Sequence, residues 1–66
     1  MQITVNGELL NMDDTVSIAA LLTARGIEPD AVVVECNGKI VPEEERAETL
    51  LAEGDVLEIL QFVGGG

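Results

Sequence analysis

Sixty-six residues make one small domain, and a chain of this size buries only roughly 60% of the surface that its unfolded form exposes. Cys36 is the only cysteine and there is no histidine, so an internal disulfide is excluded and no Cys/His set exists for a structural zinc site. Thirteen acidic residues against three basic ones give a net charge of −10, which repels phosphate backbones and anionic lipid. Neither nucleic acid nor membrane is therefore expected as a partner; basic protein surfaces are, and the same charge also serves solubility.

Met1-Gln2-Ile3-Thr4-Val5 alternates apolar and polar, the period of a half-buried strand. Asn6-Gly7 follows, the dipeptide that best tolerates the two left-handed positions of a type I′ turn, and residues 8–12 read as the returning strand. Residues 13–15 are polar and turn-like. Ser17 is placed to cap a helix, with Val16 stapling onto Leu21 across the cap. Ile18, Leu21 and Leu22 then form one apolar stripe. Gly26 gives the left-handed stop, Ile27 the apolar contact beyond it, and Pro29 prevents resumption.

Residues 31–36 are β-branched and nearly continuously apolar, which predicts a buried strand with Val32, Val34 and Cys36 on one face. Asn37-Gly38 is a second hairpin turn, and residues 39–41 a short strand ended by Pro42. Glu43, Glu44, Glu45 and Glu48 surround Arg46 and Ala47, and this segment reads as an exposed turn, with Leu50 and Leu51 anchoring it back to the core. Gly54-Asp55 turns into residues 56–63, the longest strand. The order β-β-α-β-β-β describes a two-layer α+β domain, with the first and last strands as a central parallel pair beneath the helix.

No catalytic residue is assigned. Tyrosine and tryptophan are absent, the acids lie in turns rather than in an apolar pocket, and so thin a domain leaves little room for a substrate cavity. Ser17 is used as a cap, and Cys36, in a β-branched run, reads as a small core hydrophobe. The N-terminal residues lack the basic region and apolar run of a secretory peptide, no stretch is long enough for a membrane span, and the free thiol suits a reducing compartment. A cytoplasmic location follows as an expectation.

The end of the sequence is different. Residues 1–63 read as the domain, and Gly64, Gly65 and Gly66 as a flexible tail directly after the last strand. Glycines resist ordering, reach at most about 10 Å when extended, and thread a channel too narrow for side chains. They leave the Gly66 carboxylate open to attack an activating phosphate.

From end to end the chain resembles the ThiS family of thiamine-pathway sulfur carriers. The resemblance is carried by Met1 to Gly7, the helix with Leu21-Leu22, the segment from Val34 to Pro42, Glu53-Gly54-Asp55 and Phe62-Val63-Gly64-Gly65-Gly66. It implies the ubiquitin-like β-grasp fold, a mixed sheet of four to five strands packed on one main helix. It also implies that an E1-like adenylating enzyme of the ThiF type activates Gly66 with ATP, so that no cofactor is bound by the carrier itself. A cysteine-desulfurase-derived donor then forms a thiocarboxylate, whose sulfur goes to a thiazole synthase of the ThiG type. Gly64 and Gly65 give access, and Phe62 is a candidate docking residue. Other recipients remain open at this stage: molybdopterin synthase, transfer RNA thiolation, or lysines modified through the glycine tail. A helical acyl carrier is disfavoured by the Val/Ile strands.

Overall fold

A computed structural model describes residues 1–62. The strands are β1 (Gln2–Val5), β2 (Glu8–Asn11), β3 (Val32–Cys36), β4 (Lys39–Ile40) and β5 (Val56–Gln61), with one helix, α1 (Ile18–Ala24). They form a five-stranded sheet in the order β2-β1-β5-β3-β4. β1 and β5 run parallel, and the other neighbours are antiparallel. A parallel pair cannot be closed by a hairpin, and the chain between β1 and β5 contains α1 and the three remaining strands. The chain thus adopts the expected β-grasp arrangement, with β5 at the centre.

Both hairpins form as the Asn-Gly pairs predict. Asn6 and Gly7 have φ of 50° and 85°, and Asn37 and Gly38 have 55° and 85°. Two consecutive left-handed residues match the twist of the flanking strands. These turns fix the registers Val5↔Glu8 and Cys36↔Lys39.

The helix is short and is held at both ends. The Ser17 hydroxyl accepts a hydrogen bond from the Ala20 backbone N–H at 3.0 Å. At the other end Gly26 N–H donates to the Thr23 carbonyl and Ile27 N–H to the Leu22 carbonyl, at 3.0 and 2.9 Å, the paired bonds of a Schellman ending. Seven residues would not hold a helix in water. Burial of Ile18, Leu21 and Leu22 against the sheet supplies the rest. They meet Ile3, Val5, Val32, Val34, Leu57 and Ile59 from the three central strands, with Leu51 closing the core.

The structure corrects the sequence reading at several points. β3 starts at Val32, because residues 29–31 form a 3-10 turn led by Pro29. β4 stops at Ile40, although Val41 N–H still donates to the Val34 carbonyl at 2.9 Å. Only one of the two leucines anchors the acidic segment: Leu51 is 2% exposed and Leu50 62%. The chain is extended here, with Leu50 bridged to Ser17, so neighbouring side chains face opposite ways. β5 ends at Gln61 rather than at residue 63. The acidic segment itself folds into a 3-10 turn, Glu43–Glu45, followed by an arginine that is buried. The expected boundary between domain and tail, at residues 63 and 64, lies outside the described residues.

Candidate carrier site at the end of the central strand

β5 is hydrogen-bonded on both sides, to β1 through pairs such as Val5↔Leu57 and to β3 through Val32↔Gln61. Phe62, one residue past the strand, still donates its N–H to the Ala31 carbonyl at 3.0 Å. Its side chain is 61% exposed. Gly64, Gly65 and Gly66, on which the expected chemistry rests, lie outside the described residues. The structure therefore places their root and not the glycines themselves.

Residues that alternate with the buried ones form the outer face of the sheet. Leu60 lies opposite Val33, Glu58 opposite Glu35, and Glu35 opposite Ile40. Leu9, Ile40, Val56 and Leu60 are all exposed. This half-apolar face, with two acids side by side at its middle, runs up to Phe62.

A groove of about 310 Å³ opens between the end of α1 and the end of β5, contrary to the expectation that so thin a domain has little room for one. Val5, Val32 and Ile59 line it with Ile27 and Leu60, while Asn6, Gln61 and Arg25 are its polar members. It holds one cation and no acid–base pair, so its lining offers binding rather than proton transfer. Among the described residues no group of three or more His, Cys, Asp or Glu side chains is placed to hold a metal ion, and no helix is long and apolar enough to cross a membrane.

Cys36 sits at the edge of the core rather than inside it. Burial pushes its thiol pKa up, and the nearby Asp55 carboxylate adds to the effect. A low-pKa nucleophile needs the opposite surroundings. The structural role expected for Cys36 agrees with this.

The turn asparagines do more than the sequence suggested. Asn6 Oδ1 accepts from Ile59 N–H at 2.7 Å and its Nδ2 donates to the Ile59 carbonyl at 3.3 Å. Asn37 Oδ1 accepts from Val56 N–H at 2.9 Å, and its Nδ2 donates to Asp55 Oδ1 at 3.0 Å. A carboxamide carries one donor side and one acceptor side, as a peptide group does. Asn6 thus pairs with the β5 backbone as a further strand residue would, while Asn37 takes one β5 N–H and ties the Asp55 side chain beside it. Sequence spacing gave no signal for this, because the two turns lie far from β5 along the chain.

A five-stranded mixed sheet with β5 at its centre and a single helix across one face defines the ubiquitin-like β-grasp class. Comparison with known proteins narrows it. A model of the ThiS family matches residues 2–66. The chain is 43% identical over 53 residues to the sulfur carrier protein ThiS of Bacillus subtilis, covering 80% of each. It is 39% identical over its whole length to a thiazole synthase of Paramagnetospirillum magneticum, of which it spans only 20%. A crystal structure of a thiamine biosynthesis protein (ThiS) from Geobacter metallireducens superposes with a TM-score of 0.86, at 35% identity and complete coverage of both chains. The chain belongs to the ThiS family.

Proposed function

We propose that this protein is a sulfur carrier for thiamine biosynthesis and that the carboxylate of Gly66 is its working group. The observation that carries the reading is the placement of Phe62. It stands exposed at the end of the central strand, with Gly64-Gly65-Gly66 three positions from a rigid ladder. An adenylating enzyme of the ThiF type supplies the catalysis. A Gly66 carboxylate oxygen attacks the α-phosphorus of ATP, pyrophosphate leaves, and an acyl-adenylate results. A persulfide on a donor charged by a cysteine desulfurase attacks the acyl carbon and AMP leaves, giving an acyl disulfide. A thiol then attacks the donor sulfur, forming a new disulfide with it and releasing the thiocarboxylate. A thiazole synthase of the ThiG type takes the sulfur. The similarity to a thiazole synthase that contains a stretch like this chain supports that recipient over other sulfur-using pathways.

The carrier contributes a rigid base and an unhindered carboxylate, and its partners contribute the chemistry. The test is intact mass after incubation with activating enzyme, ATP and sulfur source, read as exchange of one oxygen for sulfur. Adding alanine after Gly66 moves the carboxylate and puts a Cβ into the channel. It should abolish the exchange while leaving the melting temperature unchanged, because a chain end adds little to stability. Removing Gly66 should also block it, since the carboxylate then falls about 3.5 Å short. Efficient thiocarboxylation of the alanine-extended protein would overturn the reading.

A further inference from the structure

Among the described residues Arg46 is the one charged residue in the core, 4% exposed. Its guanidinium donates from Nη1 to the Pro29 carbonyl at 2.7 Å and from Nη2 to the Val32 carbonyl at 2.9 Å. Both partners are backbone carbonyls rather than carboxylates. Nε is buried with no hydrogen-bond partner among the described residues. Burying an ion without a counter-ion is costly, and an apolar side chain of similar volume is often equally stable in such a place. Stability is therefore a poor account of why an arginine stands here.

Geometry gives a better one. The two carbonyls bracket residues 30 and 31, and Ala31 is the residue whose carbonyl receives the Phe62 N–H. A planar fork can fix two carbonyls at once, which the single ammonium of lysine cannot do with the same directionality. The Arg46 carbonyl also accepts from Ala19 N–H at 3.1 Å, tying the fork to the first turn of α1. We propose that Arg46 is a positioning residue: it holds the 29–32 segment so that Ala31 fixes where the chain leaves β5, and thereby aims the glycine tail at the activating enzyme. The aim matters for the carrier reading above and rests on it, whereas the fixing of Phe62 does not.

The experiment uses Arg46→Met and Arg46→Lys in the full chain, the lysine variant serving if the methionine variant does not fold. Amide exchange is read at Phe62 and at core positions such as Leu57. The positioning role requires Phe62 exchange to rise about fivefold or more beyond any change at the core amides, the factor one ordinary hydrogen bond carries. It also requires kcat for adenylation to fall about tenfold or more, with KM for the carrier little changed, because a misaimed group loses rate while docking persists. Exchange at Phe62 that moves only in step with the core would make Arg46 a packing residue and overturn the proposal. So would loosened Phe62 with kcat unchanged. If the wild-type protein is not activated at all, the carrier reading fails, and the exchange measurement still decides whether Arg46 fixes Phe62.

Discussion

On the helix side of the sheet Leu57 and Val34 are fully enclosed, whereas on the opposite side Leu60 and Ile40 are 50% and 66% exposed. Both sides are carried by the same strands, and Leu57 and Leu60 belong to one six-residue strand. The inner side has its partner within the chain, the single helix. The outer side has none among the described residues, yet it keeps leucine and isoleucine around the facing acids Glu35 and Glu58. Facing like charges weaken a sheet. One face is built for the fold, and the other carries features that the fold alone does not require.

The largest contrast should come from truncating the two leucines of β5. Leu57→Ala opens a cavity in a core of ten residues among those described and should cost about 2–5 kcal/mol, a large share of what so small a domain possesses. Leu60→Ala should cost under about 1 kcal/mol, as exposed substitutions do, yet weaken binding to the proposed activating enzyme. Urea denaturation and a titration against that enzyme measure the two effects. Equal stability losses would erase the distinction between the faces.

A smaller effect sharpens the same comparison. Glu58→Gln removes one of the facing charges, so the free protein should become slightly more stable, by a margin that shrinks as salt screens the pair. Association with a basic partner surface should slow, most visibly at low ionic strength. Stopped-flow rates at two salt concentrations read this, and a rate insensitive to both charge and salt would leave the acids as a solubility device.

The smallest effect concerns Cys36 at the rim of the core. Its pKa is raised by burial and then by Asp55, so the folded state favours the protonated thiol. The associated stability is fully present below the unfolded thiol pKa and is lost as pH rises through the higher folded value. An ultraviolet titration of the thiolate should show a later midpoint folded than in denaturant, and alkylation near neutrality should be slow. A midpoint shifted down would reverse the assignment and make Cys36 a nucleophile.

Much of the inner face was legible in the sequence. Two Asn-Gly pairs, a serine cap and a Gly-Ile stop are local signals whose chemistry acts within a few residues, and each formed where it was read. What escaped was non-local. Arg46 looked like one base in an acidic turn, because nothing nearby in sequence announces that carbonyls from residues 29 and 32 await it. Leu50 and Leu51 were indistinguishable until the chain's extended path sent one inward. The glycines suggested a working chain end, but sulfur carriage in thiamine biosynthesis was legible only through family resemblance, since glycines carry no functional group of their own.

The two asparagines that splice onto β5 also bear on how the molecule ages. Each is followed by glycine, whose unhindered backbone nitrogen can swing onto the side-chain carbonyl and expel ammonia. In the folded protein both atoms of the Asn6 carboxamide are engaged by Ile59, and both atoms of the Asn37 carboxamide by Val56 and Asp55. Each amide is thus held in a fixed orientation for as long as that end of β5 stays closed. Loss of the amide would turn a donor into a carboxylate, leaving the Ile59 carbonyl without a partner at one end and setting a new charge against Asp55 at the other. Chemical lifetime in this protein is therefore governed by local opening: each time an end of the central strand frays, the turn beside it is exposed to a change that prevents clean reclosure.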